Sequence, residues 1–140
     1  MKEVTLEQMK EFALSKIYPY YAGLKPFGYD AITGKCVYKN VDGNCCIAGA
    51  EMLPEASEYW STVNESIVTV LGLTSQENVF KPESVGILSD DLWGDMQYLH
   101  DILAKEKTKE TVNEENIVHA IKYLGLFTWE ELVNYKPTEN

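Results

Sequence analysis

The sequence predicts an α+β fold that is mainly helical, with about five helices packed around one short antiparallel β-hairpin. Two observations carry that expectation. Thr5, Thr111 and Thr128 each open a Thr-x-x-Gln or Thr-x-x-Glu box ahead of apolar residues at helical spacing. In such a box the threonine side chain and the fourth residue each satisfy a backbone N–H that the first helical turn leaves unpaired. Secondly, Asp42-Gly43 lies between the cysteine-bearing runs Cys36-Val37-Tyr38 and Cys45-Cys46-Ile47. Asp-Gly supplies the two positive-φ residues of a tight hairpin turn. No internal repeat, low-complexity tract or second-domain boundary interrupts residues 1–140, so a single domain is expected.

The first helix starts at the Thr5-Leu6-Glu7-Gln8 box, and Leu6, Met9, Ala13 and Ile17 share one face. Pro19 is expected to end it, because proline disfavours helical geometry in the residue before it. Tyr18, Tyr20, Tyr21, Phe27 and Tyr29 follow among Gly23, Pro26 and Gly28, an aromatic loop. These rings can plug the edge of the core, or they can form a wall on which a ligand stacks. After the hairpin, one or two short helices are expected over 54–72, opening at Pro54 with Trp60, Val63, Ile67 and Leu71 inward and Gly72 as a stop. Residues 74–82 are polar and read as a loop. Ser89 caps the next helix, Asp90 and Asp91 suit the positive end of its dipole, and Leu92, Met96, Leu99 and Leu103 face inward. Residues 105–109 read as an exposed charged connection. The Thr111-Val112-Asn113-Glu114 box then starts a helix with Ile117, Val118, Ile121 and Leu124 inward, stopped by Gly125. Thr128-Trp129-Glu130-Glu131 starts a last short helix ending before Pro137, with Phe127 and Leu132 placed as a hydrophobic staple.

Composition narrows the function. The net charge is −10, and its distribution is uneven. Residues 1–50 hold six lysines against five acids, whereas residues 51–140 hold six against seventeen, a balance of −11. Every basic residue is lysine. Arginine is the usual fork for phosphates and guanine edges, so its absence in so acidic a chain argues against direct nucleic-acid binding. The acidity reads either as a solvated surface or as a face for a basic partner. No membrane-spanning run or signal peptide is visible, and three cysteines with two adjacent make a poor disulfide framework. A cytoplasmic setting is therefore expected.

Catalytic and metal chemistry find weak footing. Cys36, Cys45 and Cys46 lack the C-x2-C grouping of structural zinc, and no metal or cofactor is expected. Cys46 and His100 supply the residue types of a cysteine nucleophile and its base, with Asp101 beside them. Adjacent helical positions point about 100° apart, however, which disfavours Asp101 as the group that orients His100. His100 reads better as a boundary residue that bonds a backbone carbonyl and ties its helix to the hairpin. His119 carries no signal. Asp90, Asp91 and Asp95 lack calcium-loop spacing. No phosphate-binding or HExxH motif is present.

The hairpin, written C-x-Y-x3-D-G-x2-C-x2-G, resembles a family of small uncharacterised proteins of tailed bacteriophages and prophages. The matching positions are Cys36, Tyr38, Asp42, Gly43, Cys46 and Gly49, followed by Met52-Leu53-Pro54-Glu55, Tyr59 and Glu65. The family's Leu-Gln-x-x-His-Asp helix is matched by Met96, Gln97, His100 and Asp101. The resemblance covers about residues 34–104. Cys45 stands where the family often has a basic residue, and Ile47 where it usually has alanine. The resemblance implies a phage accessory protein and no particular chemistry.

Together these readings favour a non-catalytic interaction module or inhibitor of a bacterial host protein, such as a defence or nucleic-acid-handling factor. It would act through Asp90, Asp91 and Asp95. Two alternatives stand beside it: a small-molecule or nucleotide binder using Tyr18, Tyr20, Tyr21 and Tyr29, and a cysteine-dependent hydrolase using Cys46 and His100. No membrane partner is expected.

Overall fold

The computed structural model describes residues 3–30, 35–36, 38–39, 44–63 and 65–137, with the side chains of 29, 30, 35, 36 and 63 excepted. Among them the chain forms seven α-helices: α1 (Leu6–Tyr21), α2 (Ile47–Ala50), α3 (Pro54–Val63), α4 (Ile67–Leu73), α5 (Asp90–Lys107), α6 (Glu114–Leu124) and α7 (Trp129–Val133). Short 3-10 turns at Gln76–Asn78 and Pro82–Ser84 lie between α4 and α5.

The fold is helical, and the expected α+β architecture is overturned. Cys45–Ile47 is not a strand: Cys46 is the N-cap of α2, and Ile47 is its first helical residue. Extended pairing among the described residues is limited to two rungs, Tyr29 opposite Cys36 and Asp30 opposite Lys35, and an isolated antiparallel bridge between Met52 and Phe80, too little to form a layer. The Asp42-Gly43 turn lies outside the described residues. The physical reason is visible at Gly49, where an added Cβ would collide with the Tyr38 carbonyl. The chain after Cys46 coils against the Tyr38 backbone, and glycine is what allows that approach.

Helix α5 is the centre of the molecule and packs against α1, α2, α4 and α6. Trp93, Met96, Leu99 and Leu103 on α5 are all fully buried. Trp93 stacks on Phe80 at 4.4 Å between ring centroids and meets the edge of Phe12 at 5.9 Å. Around this stripe lie Ala13, Leu14 and Ile17 of α1, Val70 of α4, Ile117 and Ile121 of α6, and Leu132 of α7, all in one continuous cluster.

Several local signals act as read. Thr5 and Thr128 each make a complete capping box, and Ser89 caps α5 by accepting from the Leu92 N–H. Gly125 ends α6 at φ 73°. Other signals are overruled. Leu6 is exposed instead of inward. Pro19 does not end α1, which runs on to Tyr21. Carrying the helix through it buries Tyr20, whose hydroxyl donates to the Cys45 carbonyl at 2.8 Å, and the Pro19 carbonyl accepts from Leu24 N–H. Residues 54–72 divide into α3 and α4, with Ser66 capping the second.

The 105–109 connection and the Thr111 box also change. α5 continues to Lys107, and Asn113, not Thr111, is the N-cap of α6. Glu106 causes both changes. Its carboxylate is almost fully buried and accepts from Lys109 Nζ at 2.7 Å, the Asn113 N–H at 2.9 Å and Asn116 Nδ2 at 3.1 Å. One carboxylate thereby holds the end of α5 and the start of α6 together.

These donors hold the Glu106 carboxyl down to about 2 from an ordinary 4.5, the Lys109 ammonium first among them. A depressed folded-state value means that the contribution is complete above pH 4.5 and is lost as pH falls towards 2. Glu106→Gln is therefore expected to lower the melting temperature at pH 7 and to flatten the loss of stability between those limits, measured by thermal melts across a pH series. Gly49→Ala gives a second test. Alanine normally strengthens a helix, but here it meets the Tyr38 carbonyl, so a loss of about 1–3 kcal/mol is expected in chemical denaturation.

Candidate functional site

The structure brings Tyr38, Cys46, Gly49, Gln97, His100 and Asp101 into one region, while Asp42, Gly43 and the side chain of Cys36 lie outside the described set. α2 places Cys46 and Gly49 against Tyr38, and α5 presents Gln97, His100 and Asp101 to the same region. The Gly49 N–H donates to Cys46 Sγ at 3.4 Å. The Ala48 N–H donates to Gln97 Oε1 at 3.3 Å, which joins α2 to α5. Gln97 Nε2 in turn donates to Asp101 Oδ1 at 2.8 Å, one helical turn on. Tyr38 donates its hydroxyl to the Glu65 carbonyl.

His100 behaves differently from its sequence expectation. Its Nδ1 lies 3.1 Å from Asp101 Oδ1, so the neighbouring carboxylate does orient the ring. Gln97 makes this possible by fixing the same carboxylate oxygen from the preceding turn. In the neutral ring the hydrogen then sits on Nδ1 and leaves Nε2 as the acceptor. Nε2 is buried and, among the described residues, has no hydrogen-bond partner. The ring is enclosed by the edges of Tyr20 and Phe27, with centroids at 4.8 and 5.3 Å. Gln97, not His100, makes the link from α5 to α2.

This cluster has the chemistry of a packed core. Cys46 is 1% exposed, and burial pushes its thiol up to about 12. A thiol held there carries almost no thiolate at neutral pH, and the thiolate is the nucleophile. Asp101 adds to the effect through its negative charge. Cys45 is half-buried beside it. Cys36 has no described side chain. Among the described residues, no three His, Cys, Asp or Glu side chains are grouped to hold a metal ion.

The tyrosines do not form a single wall. Tyr20 points into the core and stacks on Phe27 at 5.6 Å. Tyr18 and Tyr21, three residues apart, share another side of α1 with centroids 6.3 Å apart. Tyr21 meets the edge of Trp129 at 5.6 Å, and Lys107 donates to its carbonyl. Tyr18 contacts Tyr135 at 5.2 Å. The side chain of Tyr29 lies outside the described set.

The acidic candidates divide as well. Asp90 accepts from Gln76 Nε2 at 3.0 Å and belongs to the α5 cap. Asp91 and Asp95 instead line an open cleft between α4, α5 and α6, of about 870 Å³. Val68, Gly94, Tyr98, His119, Ala120 and Tyr123 complete it. Tyr98 and Tyr123 approach with their centroids 6.4 Å apart, and both are largely exposed. Burial and the neighbouring Asp91 charge raise the Asp95 carboxyl above its ordinary value. Among the described residues neither carboxylate pairs with a lysine; the ion pairs lie elsewhere, at Lys10, Lys16 and Lys109. Sequence reading missed Tyr98, Tyr123 and His119. The available signal was an aromatic at 98 that completes the 91, 95, 98 face of α5, but its partners come from another helix.

No family model matches the chain, and no curated protein and no solved structure is detectably similar to it.

Iodoacetamide labelling followed by mass spectrometry checks the state of Cys46. In the folded protein at pH 7.5 Cys46 is expected to react at least about a hundredfold more slowly than after denaturation, because burial and the raised pKa act together. Labelling of Cys46 at the free-thiol rate would show that the cluster opens to solvent.

Proposed function

We propose that this chain is a non-catalytic interaction protein of tailed-phage type, which binds a bacterial host protein through the acidic second part of its sequence. The observation that carries this reading is the α4–α5–α6 cleft. Uncompensated carboxylates stand there beside exposed aromatic rings, and aromatic residues are enriched where proteins bind one another. The charge balance of residues 51–140, −11, extends the negative field well beyond the cleft and would steer a basic partner. Inhibition of the partner would follow from covering its basic surface. The resemblance at Cys36, Tyr38, Gly49 and the Gln97–Asp101 segment supports the phage setting. Sealed placement of Cys46 and His100 weighs against the hydrolase alternative, and burial of Tyr20 in the core, away from the Tyr18–Tyr21 pair, weighs against the Tyr-pocket alternative. Among the described residues, no helix is long and apolar enough to cross a membrane.

Affinity capture tests the reading. The tagged protein is immobilised, a bacterial lysate is passed over it at low and moderate salt, and retained proteins are identified by mass spectrometry. One dominant host protein is expected, retained at low salt and released as salt screens the acidic face. The Asp90→Asn, Asp91→Asn, Asp95→Asn triple variant should lose most of that retention. Absence of any retained protein at either salt would overturn the interaction reading.

A further inference from the structure

The cleft between α4, α5 and α6 has a composition that defines its occupant more closely, on the reading that the protein is an interaction module. Asp91, Asp95 and Tyr98 stand at i, i+4 and i+7 on α5, so they form one continuous edge along the helix. α6 supplies the opposite edge through His119, Ala120 and Tyr123. Val68 of α4 closes one side. It comes close because Gly94 has no side chain: a Cβ there would lie 2.5 Å from Val68 Cγ2.

Two features of this arrangement favour a cation. Asp95 is partly desolvated and repelled by Asp91, so the pair gains when a positive charge enters between them. The Tyr98 and Tyr123 rings offer faces that attract an ammonium or guanidinium group and cover its methylene stem. Two further features favour a protein as the source. The cleft is open, and on its α4 side Val68 is 43% exposed. A small free cation would leave that apolar surface wet, whereas a peptide with an apolar residue near its basic one would cover both.

We infer that the α4–α5–α6 cleft is a docking site for a basic segment of a partner protein, in which a lysine or arginine side chain enters between Asp91 and Asp95 and lies against Tyr98 and Tyr123. Val68 receives a neighbouring apolar residue of the same segment.

A nuclear magnetic resonance titration of the ¹⁵N-labelled protein tests this. The probe is an acetylated, amidated peptide of four lysines and two leucines. Its side-chain-acetylated form and spermidine serve as comparisons. Shift changes are expected to centre on Gly94, Tyr98, Ala120 and Tyr123 and to vanish with the acetylated peptide. The Asp91→Asn, Asp95→Asn variant should bind about tenfold more weakly, and Tyr123→Ala severalfold more weakly. Glu114→Gln, Glu115→Gln, at the start of α6, should bind within about twofold of the parent. All these positions are on the surface, and thermal melts confirm that each variant is folded. Shift changes scattered over every acidic surface, or unchanged affinity in the Asp91/Asp95 variant, would overturn the inference. Spermidine binding as tightly as the peptide would also overturn it, by assigning the cleft to a free cation. Host-protein capture separates this inference from the broader reading. A captured partner that survives Asp91→Asn, Asp95→Asn leaves the interaction reading standing and removes the cleft. Peptide binding in the cleft without any captured host protein does the reverse.

Discussion

Burial of the α5 stripe is the interaction on which the other helices depend. Trp93, Met96, Leu99 and Leu103 leave no solvent-exposed surface, and α1, α2, α4 and α6 each cover part of them. α2 and α4 are short, four and seven residues, well below the length at which a helix persists by itself in water. Their stability is borrowed from this contact. Removing Trp93 would leave a large cavity at the junction of Phe12 and Phe80, a change that ordinarily costs about 3–5 kcal/mol.

The same helix divides the molecule into two chemically different faces. On one side Gln97, His100 and Asp101 turn towards α2 and are consumed by packing: their polar groups bond one another and the α2 backbone. On the other side Asp91, Asp95 and Tyr98 face solvent between α4 and α6. Residues that look most like catalytic equipment thus lie in the sealed region, while the open region holds carboxylates and tyrosines. Buried polar networks commonly fix a unique packing, and the Ala48–Gln97–Asp101–His100 chain suits that role. His100 Nε2, without a partner among the described residues, is the exception within it, enclosed by Tyr20 and Phe27.

Electrostatics follows the same division. Where a carboxylate is needed to hold the fold, it is fully paired: Glu106 accepts from Lys109, Asn113 and Asn116, and Glu51 binds Lys16 at 2.9 Å and Ser84 at 2.7 Å. Lys10 to Glu131, at 2.7 Å, ties α7 to α1. Lysines near the core are committed to such contacts. Among the described residues Asp91 and Asp95 on α5 have no such lysine partner.

The sequence by itself determined the features governed by three or four neighbouring residues. The Thr5 and Thr128 boxes, the Ser89 cap and the Gly125 stop depend on contacts within one helical turn, and each formed as its residues dictate. Of the stripe read on α5, Met96, Leu99 and Leu103 are fully buried, whereas Leu92 is only partly buried and Trp93 takes its place in the core. Only the tertiary structure decided the outcome where local preference is weak or a distant contact outweighs it. Asp42-Gly43 suggested a hairpin that would have made Cys45–Ile47 a strand, but Gly49 against Tyr38 and Ala48 against Gln97 turned that segment into α2. Pro19 was overruled by burial of Tyr20, and the Thr111 box by the buried Glu106 carboxylate. The cleft was illegible for a simpler reason. Val68, Asp95 and Tyr123 come from three helices far apart in the chain, and no local pattern records that packing on α5 sets them side by side.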